Sequence, residues 1–356
     1  MSATLFEKWA KNPENLASVR DAIDATSFGD DSLEKFSQFV NIQRVKSGDP
    51  IAVLGGYDDV GKSGAGCSPT FTTGHIGNTL KRWELGDWQV AKKECYSAVL
   101  GTFAEFALHA GTQVGDLTDT EIGTVYADKL SKAIVRMIWR LAWFGDKAAK
   151  LVSESGVLTA GTDKTMFDVC DGLFKRIFTQ CASNASQLTA IAANAQTTYA
   201  KQKEAILAEG VATGILESLL MDADSRLTSN SNAVVLATKG FTDALHHDIK
   251  VKYHINLPWT TIFEGFDVTE FDGVKIARVA IWDRIIKAYE NTGTALNKPY
   301  RLVYADPRNL MVGSNADGLL SELDIWFEKK ERMNYWYATG KLDTQLLEED
   351  LVQAAY

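Results

Sequence analysis

The most distinctive chemical motif in the sequence is a match to the phosphate-binding P-loop. Residues 56–63, GYDDVGKS, satisfy the pattern G-x-x-x-x-G-K-[ST], and Ile51–Leu54 supplies a strand-like run before them. A P-loop also needs a helix that begins at the lysine, because the N–H groups and dipole of that helix face the phosphates. Residues 64–69, GAGCSP, cannot sustain a helix, and Asp58 and Asp59 would repel a polyphosphate. The sequence therefore favours a flexible glycine-rich loop over a nucleotide site.

Metal-ligating and nucleophilic residues also form no convincing site. His246, His247 and His254 are the only histidine cluster, and no carboxylate lies at a fixed helical step from them. The four cysteines have no close-paired spacing, which predicts reduced, buried thiols: Cys67, Cys95, Cys170 and Cys181. No nucleophile-elbow, Cys–His or dinucleotide motif is present. We therefore expect no catalytic residues, no cofactor and no metal.

One group of basic residues could carry a binding function. Lys129, Lys132, Arg136 and Arg140 recur at helical spacing and form a stripe about 115° from the apolar face, at 100° per residue. Such a stripe can neutralise nucleic-acid phosphates without reading sequence. The alternatives are a solvent-facing helix side or ion-pair partners for some of the chain's 46 acidic residues.

The stripe lies on the longest predicted helix, residues 118–145. Thr118 and Glu121 form a capping box at its start, and at 1.5 Å per residue it spans roughly 40 Å. Its apolar positions are Ile122, Tyr126, Leu130, Ile134, Met137 and Leu141. Trp139 and Trp143 lie away from that apolar face, which predicts that this end of the helix packs on something else as well.

Composition sets the class of protein. The chain has 356 residues, of which 46% are hydrophobic and 23% charged, so it is globular with a sizeable core. Its net charge of −9 argues against a dedicated nucleic-acid binder. Nine tryptophans fit either large subunit contacts or a large core. No signal peptide or membrane-length apolar segment is visible, which predicts a soluble intracellular product with no membrane partner.

The remaining elements give an α+β pattern. Two short amphipathic helices are predicted before residue 46, and a long hairpin with a glycine-rich tip over Ser47–Trp88. Further helices are predicted near 165–182, 202–221, 240–248 and 283–289, and strands at 233–238, 274–281 and 300–305. The last 33 residues, from Asp324, hold two aromatic strands, a turn at Gly340–Lys341 and a final strand.

This closing pattern, together with the order of the preceding parts, resembles the major capsid proteins of tailed bacteriophages. Tyr300–Gly313 and Phe327–Asp343 are most similar to those of phages that infect Bacteroidetes-type hosts. The resemblance implies a tailed-phage capsid fold with the following parts: an N-terminal arm (1–46), an extended hairpin loop (47–92), a peripheral domain (93–223) with a spine helix (118–145), a central axial α/β domain (224–323) and C-terminal strands returning to the peripheral domain (324–356).

The resemblance implies a structural protein and not an enzyme. Such subunits self-assemble in the host cytoplasm into hexamers and pentamers of an icosahedral shell that encloses double-stranded DNA in the virion. Portal, scaffolding or decoration proteins would be partners, and Lys129, Lys132, Arg136 and Arg140 would face the packaged DNA. No long charged segment precedes the hairpin, so we expect a separate scaffolding protein or none, and a full-length subunit in the particle. The alternatives are an encapsulin-like nanocompartment shell and, less favoured, a P-loop nucleotide-binding enzyme.

Overall fold

The computed structural model describes residues 12–14, 17, 38–57, 76–95, 119–149, 158–254, 260–263, 266–315, 320–331 and 333–356. The strands are β1 (Asn41–Val45), β2 (Pro50–Tyr57), β3 (Ile76–Arg82), β4 (Gly86–Cys95), β5 (Leu188–Thr189), β6 (Val234–Ala237), β7 (Thr260–Phe263), β8 (Phe266–Phe271), β9 (Val274–Arg278), β10 (Leu302–Ala305), β11 (Leu310–Asn315), β12 (Leu320–Glu328), β13 (Met333–Leu346) and β14 (Val352–Ala355). The α-helices are α1 (Asp119–Phe144), α2 (Leu173–Ser183), α3 (Tyr199–Ile206), α4 (Val211–Met221), α5 (Ser225–Thr228), α6 (Lys239–Tyr253) and α7 (Ala280–Tyr289).

A five-stranded sheet is built around β13, the longest strand. β12 and β11 follow each other along one side of β13, β4 pairs along the other side, and β1 adds to β11 in parallel. Side chains of β13 alternate between half-buried and buried from Met333 to Leu342, as expected for a strand with two different faces. The buried row includes Trp336, Ala338 and Leu342, which join the same core as α1.

The turn predicted at Gly340–Lys341 is wrong. β13 runs through this position without a break, and Gly340 pairs with Leu320 on one side and Trp88 on the other. A glycine inside a strand often marks a bulge, and the register indeed shifts between Leu320 and Glu322 on the neighbouring strand. Strand partners on both sides hold Gly340 extended, and this tertiary pairing overrides its turn propensity.

A seven-stranded sheet has the order β5-β14-β10-β6-β9-β8-β7. Its central strands β6 (VVLA) and β10 (LVYA) are buried at every position, which is typical of strands covered on both faces. Val234 and Leu236 of β6 belong to the core cluster that contains α1, α2 and α7. Val235, between them, belongs to the cluster that contains α4 and α6. The last strand, β14, pairs with β10, so residues 324–356 contribute to both large sheets.

Most predicted helices are present, with shifted bounds. The helix expected near 165–182 begins only at Leu173, after a 3-10 turn at Lys164–Met166 and an N-cap at Gly172. The helix expected over 202–221 is two helices, α3 and α4, separated at Gly210, whose φ of +79° a non-glycine residue rarely adopts. The predicted capping-box side chains of α1 and nearly all of the predicted N-terminal arm helices lie outside the described residues.

The prediction that the end of α1 with Trp139 and Trp143 also packs on something else is confirmed, and the additional partners are helices of the same subunit. Both are fully buried in the largest core cluster. The ring of Trp143 lies 5.2 Å from that of Phe174 on α2 and 4.5 Å from that of Trp282 on α7, between ring centroids. The end of α1 is thus enclosed by two helices in addition to the sheet, so its apolar surface is wider than a single stripe predicts.

Candidate functional site

The two arms of the predicted hairpin are present as β2 and β3. They pair antiparallel from Pro50↔Arg82 to Tyr57↔Ile76 and form a two-stranded sheet apart from the two larger ones. The tip, residues 58–75, lies outside the described residues, and with it most of the P-loop match at 56–63. β4 begins soon after, at Gly86, and belongs to the five-stranded sheet. The chain therefore passes from the hairpin to that sheet within residues 83–85.

Trp83 anchors the base of the hairpin through an apolar contact. Its side chain is only 2% exposed and packs with Val45, Ile51 and Met311. Gly313 on β11 makes room for the indole, because a Cβ at this glycine would lie 2.7 Å from Trp83 Cε3 and 2.9 Å from Val45 Cγ2. The sequence shows Gly313 as an isolated strand glycine, which signals a close approach but not what approaches.

Polar contacts hold the same base. The backbone N–H of Glu84 donates to Asp343 Oδ2 at 2.9 Å, and Arg176 Nη2 donates to Asp343 Oδ1 at 3.2 Å. Burial raises the pKa of Asp343, outweighing its hydrogen bond from Glu84 and the charge of Arg176. On the preceding strand, Lys81 Nζ donates to the carbonyl of Leu346 at 2.7 Å.

An acidic loop between β13 and β14 takes part in this anchor. Glu349 Oε1 forms an ion pair with Lys81 Nζ at 2.7 Å, and Glu348 Oε2 lies 3.7 Å from Nη1 of Arg226 on α5. The side-chain amide of Asn309 holds the loop, since it donates to the carbonyls of residues 348 and 351 and accepts from the N–H of Glu348. The loop thus links the hairpin base to the helices beside the seven-stranded sheet.

The predicted basic stripe is divided by the fold. Lys132 and Arg136 are exposed on α1. Lys129 lies on the same helix, but its side chain is outside the described residues. Arg140 is half-buried, and its guanidinium is engaged within the subunit.

Arg140 Nε donates to the carbonyl of Met166 at 3.1 Å. Its guanidinium carbon lies 5.7 Å from the ring centroid of Phe167 and 5.8 Å from that of Tyr289. Burial lowers the pKa of this guanidinium. These contacts give Arg140 a packing role that helical spacing alone could not distinguish from an exposed one.

A buried ion pair between Arg301 and Glu290 lies where the two sheets share a core. Both side chains are at most 5% exposed. The guanidinium carbon of Arg301 lies 4.8 Å from the ring centroid of Phe174 and 5.2 Å from that of Phe144. Its Nη2 also donates to the carbonyl of Asn297 at 3.1 Å. The pair satisfies its polar groups internally and joins α1 and α2 to the segment before β10.

Two carboxylates cap helices that belong to other parts of the sequence. Asp248 on α6 accepts from Gly210 N at 2.6 Å, from Thr213 N at 3.0 Å and from Thr213 Oγ1 at 2.7 Å, at the start of α4. Burial would raise the pKa of Asp248, but these hydrogen bonds outweigh it and lower the pKa. Asp283 accepts from Gly240 N at 3.0 Å at the start of α6; there burial dominates and raises the pKa.

The histidines considered as metal ligands lie on and directly after α6, and two of the cysteines lie in the core. His246 is half-buried on α6, whereas His247 and His254 are exposed. Within the described ranges, no group of three or more histidines, cysteines and carboxylates could hold a metal ion, and no helix there has the length and apolar character to cross a membrane. Cys170 and Cys181 are buried free thiols, as predicted, and burial raises the pKa of Cys181 to about 11.

Comparison with known proteins identifies the architecture. No family model and no curated protein matches the sequence. A chain of the satellite phage P4 procapsid, in a structure that includes the size determination (Sid) protein, is 11% identical with a TM-score of 0.51, and the match covers 95% of this chain and 98% of that one. A chain of Gordonia phage Cozz is 11% identical with a TM-score of 0.50, covering 90% and 85%. The holo-SrpI encapsulin complex of Synechococcus elongatus is 9% identical at a TM-score of 0.45, covering 91% and 87%. From the first two structures, the chain has a tailed-phage-type capsid fold.

Proposed function

We propose that this protein is a structural capsid subunit that self-assembles into hexamers and pentamers of an icosahedral shell around double-stranded DNA. The observation that carries the proposal is the fold likeness to the phage P4 procapsid chain, which extends over 95% of this chain and 98% of the other. The likeness extends over nearly the full length of both chains, so it concerns the fold of this chain as a whole and not one part of it. The subunit is then part of the virion, assembled in the host cytoplasm, and it catalyses nothing.

In this proposal the five parts have the roles that the resemblance implies. The arm (1–46) and hairpin loop (47–92) reach neighbouring subunits, α1 is the spine helix of the peripheral domain (93–223), and the axial domain (224–323) faces the capsomer axis. The C-terminal strands (324–356) return to the peripheral domain. Portal, scaffolding or decoration proteins are further partners, and a Bacteroidetes-type host follows from the resemblance of Tyr300–Gly313 and Phe327–Asp343.

The hairpin supports the assembly role. β2 and β3 pair with each other and with no other described strand, so along their length they add little to the subunit's own sheets. The base, in contrast, is fixed by Trp83, Asp343 and Lys81. An anchored base under a hairpin that pairs with no other described strand is suited to holding that hairpin against a neighbouring subunit.

The DNA contact is proposed for Lys129, Lys132 and Arg136 and no longer for Arg140. The first three lie along α1, with Lys132 and Arg136 exposed, whereas Arg140 is held by Met166, as described above. Because the chain carries a net charge of −9, attraction to phosphates has to be local and strongly reduced by salt.

Electron microscopy of the purified protein, followed by nuclease treatment and extraction of protected nucleic acid, tests the proposal. Closed shells tens of nanometres across that protect double-stranded DNA in infected cells are expected. Shells that enclose a protein cargo and no DNA would instead identify a nanocompartment. A strictly monomeric species by light scattering at high concentration would refute both.

Deletion of residues 56–74 separates the hairpin's role from the fold. The deletion removes the tip and leaves the anchored base, so we expect a folded subunit that no longer forms closed shells. Lys62→Ala is the matched control for the nucleotide-binding alternative. It should leave particle yield unchanged, and calorimetry should detect no ATP binding before or after the change. Micromolar ATP affinity that the substitution abolishes would restore the P-loop interpretation.

A further inference from the structure

Strand β12 is an edge of the five-stranded sheet. It pairs with β13 from Glu322↔Thr339 to Glu328↔Met333, and no other described strand pairs with its far side. Within the described part of the chain, Glu322–Glu328 therefore form a sheet edge, and such an edge presents backbone N–H and C=O groups to a further strand. Those groups are a template for an additional strand.

The side chains of β12 divide cleanly between its two faces. Leu323 and Ile325 lie opposite the buried positions 338 and 336 of β13. The alternate residues of β12 lie opposite half-buried positions and form what we call the β12 outer row: Glu322, Asp324, Trp326 and Glu328. The outer row thus combines three carboxylates with one tryptophan.

Trp326 is the unusual member of this row. Its side chain is 43% exposed, whereas six other described tryptophans are at most 8% exposed. Its ring stacks on that of Tyr335, with 5.2 Å between centroids and 7° between planes. A stack of this kind covers one face of the indole, and nearly half of the side chain is nevertheless exposed. Charged side chains suffice to keep an edge strand from aggregating, so an exposed tryptophan among them points to binding.

The charges of the outer row select the partner. Glu322 and Asp324 are exposed and Glu328 is half-buried, and Glu328 Oε1 accepts the backbone N–H of Lys330 at 3.1 Å. A second copy of the row set against the first would bring carboxylates together, and the whole chain is already at −9. Basic side chains, in contrast, pair with carboxylates and lie favourably over an indole face.

We propose that the outer edge of β12 binds an extended segment of a separate, basic protein, which adds to the sheet as a strand. Lysine or arginine at every second position of that segment would lie on the same face as the outer row. Backbone pairing supplies affinity, and the alternating charges fix the register. This interaction uses none of the residues that anchor the hairpin base and does not require shell formation.

A fluorescent ten-residue peptide that alternates lysine with valine is the probe, and anisotropy at low salt measures its binding to the purified chain. We expect Trp326→Ala to weaken binding at least about tenfold and Asp324→Asn to weaken it several-fold and to reduce its salt dependence. Glu217→Gln, at an exposed acidic position on α4, is the matched control and should leave binding unchanged. Thermal melts should show that all three variants fold, because each position is exposed.

Two further peptides separate strand addition from simple charge attraction. One has the same composition with its lysines in a block, and the other is N-methylated at the residues whose N–H groups would face β12. Both should bind at least about tenfold more weakly than the alternating peptide. Equal binding of the three peptides, or no effect of Trp326→Ala, overturns the proposal. Self-association of the chain that Trp326→Ala abolishes, without peptide binding, would assign the edge to a second copy instead.

Discussion

Replacing Gly313 by alanine should loosen the hairpin from the subunit. The added methyl would lie 2.7 Å from two ring carbons of Trp83 and 2.9 Å from Val45 Cγ2, closer than real Cβ contacts allow. Either the indole shifts or β11 moves away from it. Overpacking of this kind costs about 1–3 kcal/mol. Complete expulsion of Trp83 would approach the roughly 3–5 kcal/mol of a large-to-small core substitution.

Urea unfolding of the unassembled subunit measures this cost, and limited proteolysis after Lys81 and Arg82 reports on the hairpin base directly. We expect a free energy of unfolding lower by about 1–3 kcal/mol, faster cleavage at the base, and fewer closed shells. A smaller side chain at position 83 should partly rescue the alanine variant, and a double-mutant cycle of Gly313→Ala with Trp83→Leu would measure that coupling.

Gly214→Ala is the matched control. No heavy atom lies within 4 Å of the Cβ that alanine would add there, and the position is inside helix α4. Alanine is favoured over glycine in a helix interior, so this variant should gain about 0.5–1 kcal/mol. If Gly313→Ala is as stable as Gly214→Ala, the close packing of Trp83 against β11 does not hold the hairpin, and the argument fails.

Three further predictions concern buried charges, each measured by urea unfolding. Asp248→Asn should lower the free energy of unfolding by about 1.5–3 kcal/mol at neutral pH. Because the pKa of Asp248 is lowered in the folded protein, this difference should disappear as the pH falls through and below the ordinary value of 3.8. The pKa of Asp343 is raised in the folded protein, so as the pH falls this carboxylate binds a proton in the folded state before it does so in the unfolded state. The wild type should therefore gain stability relative to Asp343→Asn as the pH falls from neutral towards 4. A pH-independent difference in the free energy of unfolding would contradict this. Arg301→Met should lower the free energy of unfolding by about 3–5 kcal/mol because it leaves the charge of Glu290 buried and unpaired. The double variant Arg301→Met with Glu290→Met should lose less. Equal losses would show that the unpaired charge of Glu290 is not the cause.

Periodicity predicted the elements whose stabilising contacts are local or regular. The long helix α1 was predictable because its apolar residues recur with a period of 3.6 and form one face. The two hairpin arms were predictable because each is a short β-prone run. Gly340 was misassigned because turn propensity is a local signal, and two neighbouring strands overrode it. The place of Trp143 off the apolar stripe predicted additional packing there, but its partners on α2 and α7 could not be predicted, because a helical pattern does not identify the elements on its second side.

The candidate site was less predictable because its contacts join distant parts of the sequence. The carboxylate that caps α4 belongs to Asp248 on the later helix α6, so the sequence next to Gly210 shows no capping residue. Arg140 has the same spacing as its exposed neighbours, and only the position of Met166 and the aromatic rings around it reveals that it is engaged. Trp83 signals burial by its type, but its partner Gly313 carries no side chain from which a contact could be inferred.

The bond between Glu84 and Asp343 has a consequence for the timing of synthesis. These residues are 259 positions apart, and ribosomes add on the order of 5–20 residues per second. For about 10 to 50 seconds, each nascent chain therefore has its hairpin but not the strand that fixes the base. During this interval the base of the hairpin is not fixed, and its contacts of high sequence separation are slow to form even afterwards. In the proposed assembly role, synthesis of β13 therefore sets the earliest time at which a subunit can present an anchored hairpin to a neighbour.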